Sequence, residues 1–202
     1  MLLLEGFFSP GGNGYYLLVL IFMAALVGLY LWGSSRTDKS ARADELQKTY
    51  LVMDADKLAS VPDEELVNAV AANLMAKLDK RKPDAYKTVP LLSHERCVVY
   101  SVWLMCNELE AAGFEELFAG PSARFCELAA DAFEEIGAPV CAVALRNAME
   151  ADVQALAELH ADFLEAKGSE RPLEKCVGYI RDNASEFLDA SAETGMESAD
   201  GE

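Results

Sequence analysis

The chain has 202 residues, 52% of them hydrophobic, and a net charge of −17. This is enough apolar material for one globular domain with an appendage, and too acidic a balance to expect direct nucleic-acid binding. Two histidines are few for a metal or acid–base enzyme. The five cysteines, at 97, 106, 126, 141 and 176, form no C-x-x-C pair and fall mostly on apolar helical faces. They read as small buried hydrophobes in a reducing compartment.

Residues 1–14 are a short segment containing Glu5 but no Lys or Arg. Tyr15 to Trp32 is an uncharged run of 18 residues. As a helix it spans about 27 Å, close to the hydrocarbon thickness of a bilayer. Tyr15, Tyr16, Tyr30 and Trp32 sit at its ends, where aromatic rings prefer the interface. The rival reading is a cleaved signal peptide; the long apolar run and the lack of basic residues before it argue against that. Arg36, Lys39, Arg42 and Lys48 follow. The positive-inside bias then puts the N-terminus outside the cell membrane and the bulk of the chain in the cytoplasm.

Residues 33–60 read as a juxtamembrane linker that opens on Gly33, Ser34 and Ser35. Its later half, Asp44 to Asp56, has the makings of a helix. Ser60 to Asp63 has capping-box spacing, and Leu66, Val70, Leu74 and Leu78 predict a helix to about Lys80. Lys77, Lys80, Arg81 and Lys82 suit its negative C-terminal end. Pro83 and Pro90 bracket a loop.

Ser93 is a good N-cap, with Glu95 in the first turn. Val98, Val99, Val102, Trp103, Cys106 and Leu109 form a broad helical face. Gly113 is placed to end that helix in a left-handed C′ conformation. Phe114 and Phe118 are four apart and face one core. Leu128, Ala129, Ala132, Phe133 and Ile136 form the next stripe; Gly137 closes it and Pro139 opens another helix. Asp152 caps a helix through Leu164 that Gly168 breaks, and a last helix runs from Pro172 to Leu188. His160, alone in its segment, reads as structural. Residues 189–202, rich in Ser, Ala, Gly and acid, read as a disordered tail.

These residues resemble the C-terminal domain of the nineteen-kilodalton DNA-mimic protein family, over roughly 62–188. That family shows a Glu-Val-Asn-Asn-Gly-Gly-Phe-x-Gln-Tyr-Phe type motif, matched here by Glu108, Gly113, Phe114 and Phe118. A later Glu-x-Ile-Gly-Ala segment is matched by Glu134, Ile136, Gly137 and Ala138. The departures are Glu110-Ala111-Ala112 in place of Asn-Asn-Gly and Glu116-Leu117 in place of Gln-Tyr. The resemblance implies a helical domain at 61–188 that occupies the DNA-binding surface of a regulator or other basic DNA-binding protein.

Charge patterning points the same way. Residues 36–100 balance 11 Lys/Arg with 11 Asp/Glu, whereas 101–188 carry 17 acids against 6 bases. Carboxylates held on rigid helices attract surfaces built for phosphates. Glu110, Glu115, Glu116, Asp131, Glu134 and Glu135 cluster around the family motif and are the candidate partner-binding face.

The alternative is a scaffold or assembly subunit of a membrane complex, whose acids merely keep it soluble. No catalytic motif, cofactor fingerprint or metal-ligand spacing is present. The expected protein is therefore all-α, not an enzyme, and free of cofactors and metals. It has a single transmembrane helix followed by a compact acidic multi-helix domain, with self-association through Ala24 and Gly28 left open. A reporter active only outside the membrane, fused after Leu188, should stay silent; an active fusion would reverse the orientation.

Overall fold

The computed structural model describes residues 42, 44–77 and 93–189. Contacts divide the chain into units 1–45 and 46–202, and every element below belongs to the second. The expected membrane span at 15–32, the segment 1–14, most of 33–43, Lys80, Arg81 and Lys82, and residues 190–202 lie outside the described residues. Among the described residues no helix is long and apolar enough to cross a membrane.

All regular elements among them are helical. The helices are α1 (Ala55–Ser60), α2 (Asp63–Lys77), α3 (His94–Ala111), α4 (Phe114–Ala119), α5 (Cys126–Glu135), α6 (Pro139–Glu150), α7 (Leu156–Glu170) and α8 (Pro172–Asp182). Short 3₁₀ turns at Pro121–Phe125, Val153–Ala155 and Ala184–Phe187 complete the chain path.

α3 is the axis. Cys97 to Val102, Leu104 to Cys106 and Leu109 are buried, so burial runs round the helix and is wider than the face read from the sequence. A helix apolar on all sides must be enclosed by others. Here α2 and α8 cover it on one side, and α5 and α7 approach from others. α5, α6 and α7 form a second, continuous packing run. Ser93 does cap α3, accepting the Arg96 N–H at 3.4 Å.

The folded unit reaches beyond the expected limits of 61 and 188. Tyr50, Met53 and Leu58, placed in the linker by the sequence, are buried in the same core. Ser60 caps nothing downstream. It closes α1, its hydroxyl donating to the Lys57 carbonyl. At the other end, Asp189 is a polar hub and not the start of a loose tail. Its carboxylate accepts from the Met53 N–H at 2.9 Å, from Asn73 at 3.0 Å, from Arg96 at 3.3 Å and from Lys77. Its own N–H donates to the Met53 carbonyl, and Arg96 also holds the carbonyls of Glu186 and Leu188. The two ends of the unit are thereby fastened together beside α2 and α3.

Two helix ends differ from expectation. α7 runs through Gly168, whose Cα faces open space, and stops at Arg171, which takes φ 53°, ψ 56°. Pro172 is the cause, because it disfavours the right-handed helical conformation in the residue before it. The final helix stops at Asp182, where the Asn183 side chain donates to the Tyr179 carbonyl; a 3₁₀ turn follows.

Asp189 gives a pH-dependent test. Burial alone would raise its pKa, but the bonds from Lys77, the Met53 N–H and Asn73 outweigh this and lower it from 3.8 to about 2. A depressed folded-state pKa contributes stability that is present above the unfolded value and lost as pH falls towards the folded one. Asp189→Ala should cost about 1–3 kcal/mol at neutral pH. The gap from wild type, measured by denaturant unfolding, should narrow as pH falls from 3.8 towards about 2. A pH-independent gap would contradict the hub.

Candidate partner-binding surface

The family-motif residues build the junction between α3 and α4. Glu108, half-buried, accepts the Ser122 hydroxyl at 3.3 Å and so fastens the 3₁₀ turn after α4. Gly113 has φ +92° and ψ −179°. This positive-φ, extended-ψ region is essentially glycine's alone, and it is not the left-handed helical conformation expected. It turns the chain sharply enough that the Gly113 carbonyl accepts the first α4 bond, from Leu117. Phe114 is buried and stacks on Phe118 with centroids 5.6 Å apart.

His160 of α7 locks the junction. Its Nε2 lies 2.7 Å from the Leu109 carbonyl, in the last turn of α3. A carbonyl can only accept, so Nε2–H donates and satisfies an oxygen near the helix end. The ring meets Phe114 edge-on, and a Cβ added at Gly113 would stand 3.4 Å from its Nδ1.

The second motif ends α5. Ala138 N–H donates to the Phe133 carbonyl at 2.7 Å, and Gly137 N–H to the Glu134 carbonyl at 2.9 Å. With Gly137 at φ +82° this is a Schellman ending. Ile136 is buried beside it, and Lys175 donates to the Gly137 carbonyl. Glu170, which sequence reasoning did not single out, caps the start of α6 by accepting the N–H groups of Val140 and Cys141 at 3.1 and 2.8 Å. Burial opposes its ionisation, but these bonds prevail and lower its pKa.

The six candidate carboxylates are exposed, yet they do not form one free face. Glu110 pairs with Lys167 at 2.6 Å. Asp131 and Glu134 share Arg146 across the Gly137 turn, Asp131 at 2.8 Å. The Arg146 hydrogen bond holds the Glu134 carboxyl below the usual range. Glu135 accepts from the Tyr179 hydroxyl at 2.6 Å and contacts His94 Nε2 at 2.8 Å. Burial first, then the bond to Glu135, pushes the Tyr179 phenol up. Such surface pairs add at most about 1 kcal/mol each to the fold, but they neutralise charge that a partner would otherwise meet.

Glu115 and Glu116 are different. Both are exposed in the first turn of α4 and make no ion pair among the described residues. A further set was missed. Glu158, Asp162 and Glu165 recur at i, i+4 and i+7 on α7, all exposed and likewise unpaired among the described residues. Their spacing puts them in one row with a charge about every 5 Å of helix axis. The i, i+4, i+7 spacing itself is legible in the sequence.

Beside the junction lies a pocket of about 190 Å³. Gly113, Phe114, Leu156 and His160 line it together with Val153, which is 63% exposed, and with Glu115 and Glu116. Among the described residues no group of three or more His, Cys, Asp or Glu could hold a metal ion. All five cysteines are buried, and none forms a disulfide. Burial pushes the Cys106 thiol up to about 12 and the Cys126 thiol up to about 11, so neither supplies a thiolate at neutral pH.

Against known proteins, a family profile described as DMP19-like protein matches residues 91–198, just over half of the chain. The match covers α3 to α8 and starts later than the resemblance at 62, so α1 and α2 lie outside it. No curated protein and no solved structure matches.

Gly113→Val tests the junction. A β-branched residue at that backbone conformation, with its Cβ against the His160 ring, should lower stability by about 1–3 kcal/mol. An unchanged melting temperature would mean the turn does not need glycine.

Proposed function

This chain belongs to the DMP19-like protein family, and from that membership we propose that it is an acidic protein-interaction module that mimics DNA. Its target is the DNA-binding surface of a basic protein. The observation that carries the reading is the set of exposed carboxylates on helices with no ion pair among the described residues, Glu115 and Glu116 on α4 and Glu158, Asp162 and Glu165 on α7. A row with a charge about every 5 Å is comparable in density to one DNA strand, with its phosphate about every 3.4 Å of axis. Cations steered to phosphates are attracted to such a row by the same long-range field.

The proposal includes a membrane tether. The uncharged run from Tyr15 to Trp32 supports it, and the basic residues after that run support a cytoplasmic domain with the N-terminus outside. Held there, the module meets partners near the bilayer or draws a regulator away from the nucleoid. Catalysis has no part in the proposal; the sequence carries no catalytic motif or cofactor fingerprint. The folded domain is taken as residues 46–189, wider than the 61–188 expected from the sequence.

The test replaces the five unpaired acids together: Glu115→Gln, Glu116→Gln, Glu158→Gln, Asp162→Asn and Glu165→Gln. All five are exposed, so the fold should be nearly unaffected. Affinity of the full-length chain for a captured DNA-binding partner should fall at least ~10-fold, and duplex DNA should compete with the wild type for that partner. Unchanged affinity with unchanged circular dichroism would make these acids a solvated surface only. The scaffold reading would then take over.

A further inference from the structure

We propose that the pocket between α4 and the start of α7 receives an arginine side chain of the bound partner. This rests on the interaction reading above and gives it one anchoring contact. The volume of about 190 Å³ is the first reason. Small-molecule sites run to roughly 300–1,000 Å³, so this one suits a single long side chain.

The lining is the second reason. Phe114, Leu156 and Val153 offer an apolar wall for an aliphatic stem, and Val153 stands 63% exposed with nothing packed over it. Glu115 and Glu116 stand on the same pocket, exposed and without an ion-pair partner among the described residues. The acids around the second motif are already occupied by Arg146, Tyr179 and His94. These two have no such competitor.

His160 supplies the third. Because Nε2–H is committed to the Leu109 carbonyl, Nδ1 of the neutral ring is an acceptor, and it lies over Gly113 on the pocket lining. Glu115, Glu116 and His160 thus line one small cavity whose other lining side chains are apolar and whose lining holds no Lys or Arg. A guanidinium matches that set. Its five donors are fixed in a plane and can serve several acceptors at once, while the stem fills the apolar part. Lysine brings a compact, strongly hydrated charge and fits the same acceptors less well. The glycine at 113 belongs to the same arrangement, because its φ of +92° is strained for any residue with a Cβ, and such a Cβ would rest at contact distance, 3.4 Å, from the His160 ring.

The experiment titrates the full-length chain with N-acetyl-arginine amide, followed by amide-resolved NMR. N-acetyl-citrulline amide, of the same shape without the charge, is the control. Saturable shifts should centre on Gly113, Glu116 and Val153, with the arginine probe bound at least ~10-fold more tightly than citrulline, as a charge-assisted contact requires. Ala157 lines the pocket and is exposed, so Ala157→Trp should fill the pocket and abolish the shifts. Glu115→Gln with Glu116→Gln should weaken the arginine probe and leave citrulline unchanged, which keeps the test open if the tryptophan variant misfolds. Equal binding of both probes, shifts elsewhere, or shifts that survive both variants would overturn the pocket. Partner binding separates this proposal from the one beneath it. If the five-carboxylate variant loses the partner and a folded Ala157→Trp keeps it at full affinity, the arginine pocket is wrong and the acidic module stands. If both keep it, both readings fall.

Discussion

Burial of α3 all round its Cys97–Val102 stretch is the constraint the other helices answer to. Ten of its positions, from Cys97 to Leu109, are closed to solvent. An 18-residue helix is about 27 Å long, so no single neighbour can cover it. α2, α5, α7 and α8 share the task; α2 is itself buried from Ala69 to Leu74, whereas α5, α7 and α8 keep polar residues exposed on their outer faces. The acidic surface follows from this. The carboxylates have no room inside, and helices pinned to a central rod hold them at set spacings outside.

How those helices end decides which carboxylates stay free. The Schellman ending at Gly137 reverses the chain between α5 and α6, which brings Arg146 back onto Asp131 and Glu134. The stop at Arg171 lets α7 run long enough for Lys167 to reach Glu110. At Gly113 the chain turns sharply and, among the described residues, no basic side chain pairs with Glu115 or Glu116 beside the pocket. Free and neutralised acids are thus separated by backbone geometry and not by composition.

Periodicity and punctuation made the central features legible. The Ser93 cap, the α3 face, the glycine turns at 113 and 137 and Pro139 at the start of α6 all follow from local rules. What local rules could not supply is long-range. Glu110 and Lys167 are 57 residues apart, and Glu170 caps a helix that begins 31 residues before it. Asp189 looked like the first residue of a tail because its four partners come from distant parts of the chain. Gly168 misled because a glycine costs a helix only about 1 kcal/mol, which the packing of Phe163 and Ala166 offsets. The family motif marks the junction between α3 and α4, whereas the evenly spaced row on α7 lies outside that motif.

The central claim is that charge presented at fixed spacing, and not apolar contact, binds the partner. Its most direct measurement is the salt dependence of that affinity for the full-length wild-type chain. Electrostatic recognition predicts a fall of at least ~10-fold as salt rises from about 50 to about 200 mM, in the same direction as the partner's own affinity for duplex DNA. An affinity that stays flat over that range, while the partner's DNA binding weakens, would contradict the account.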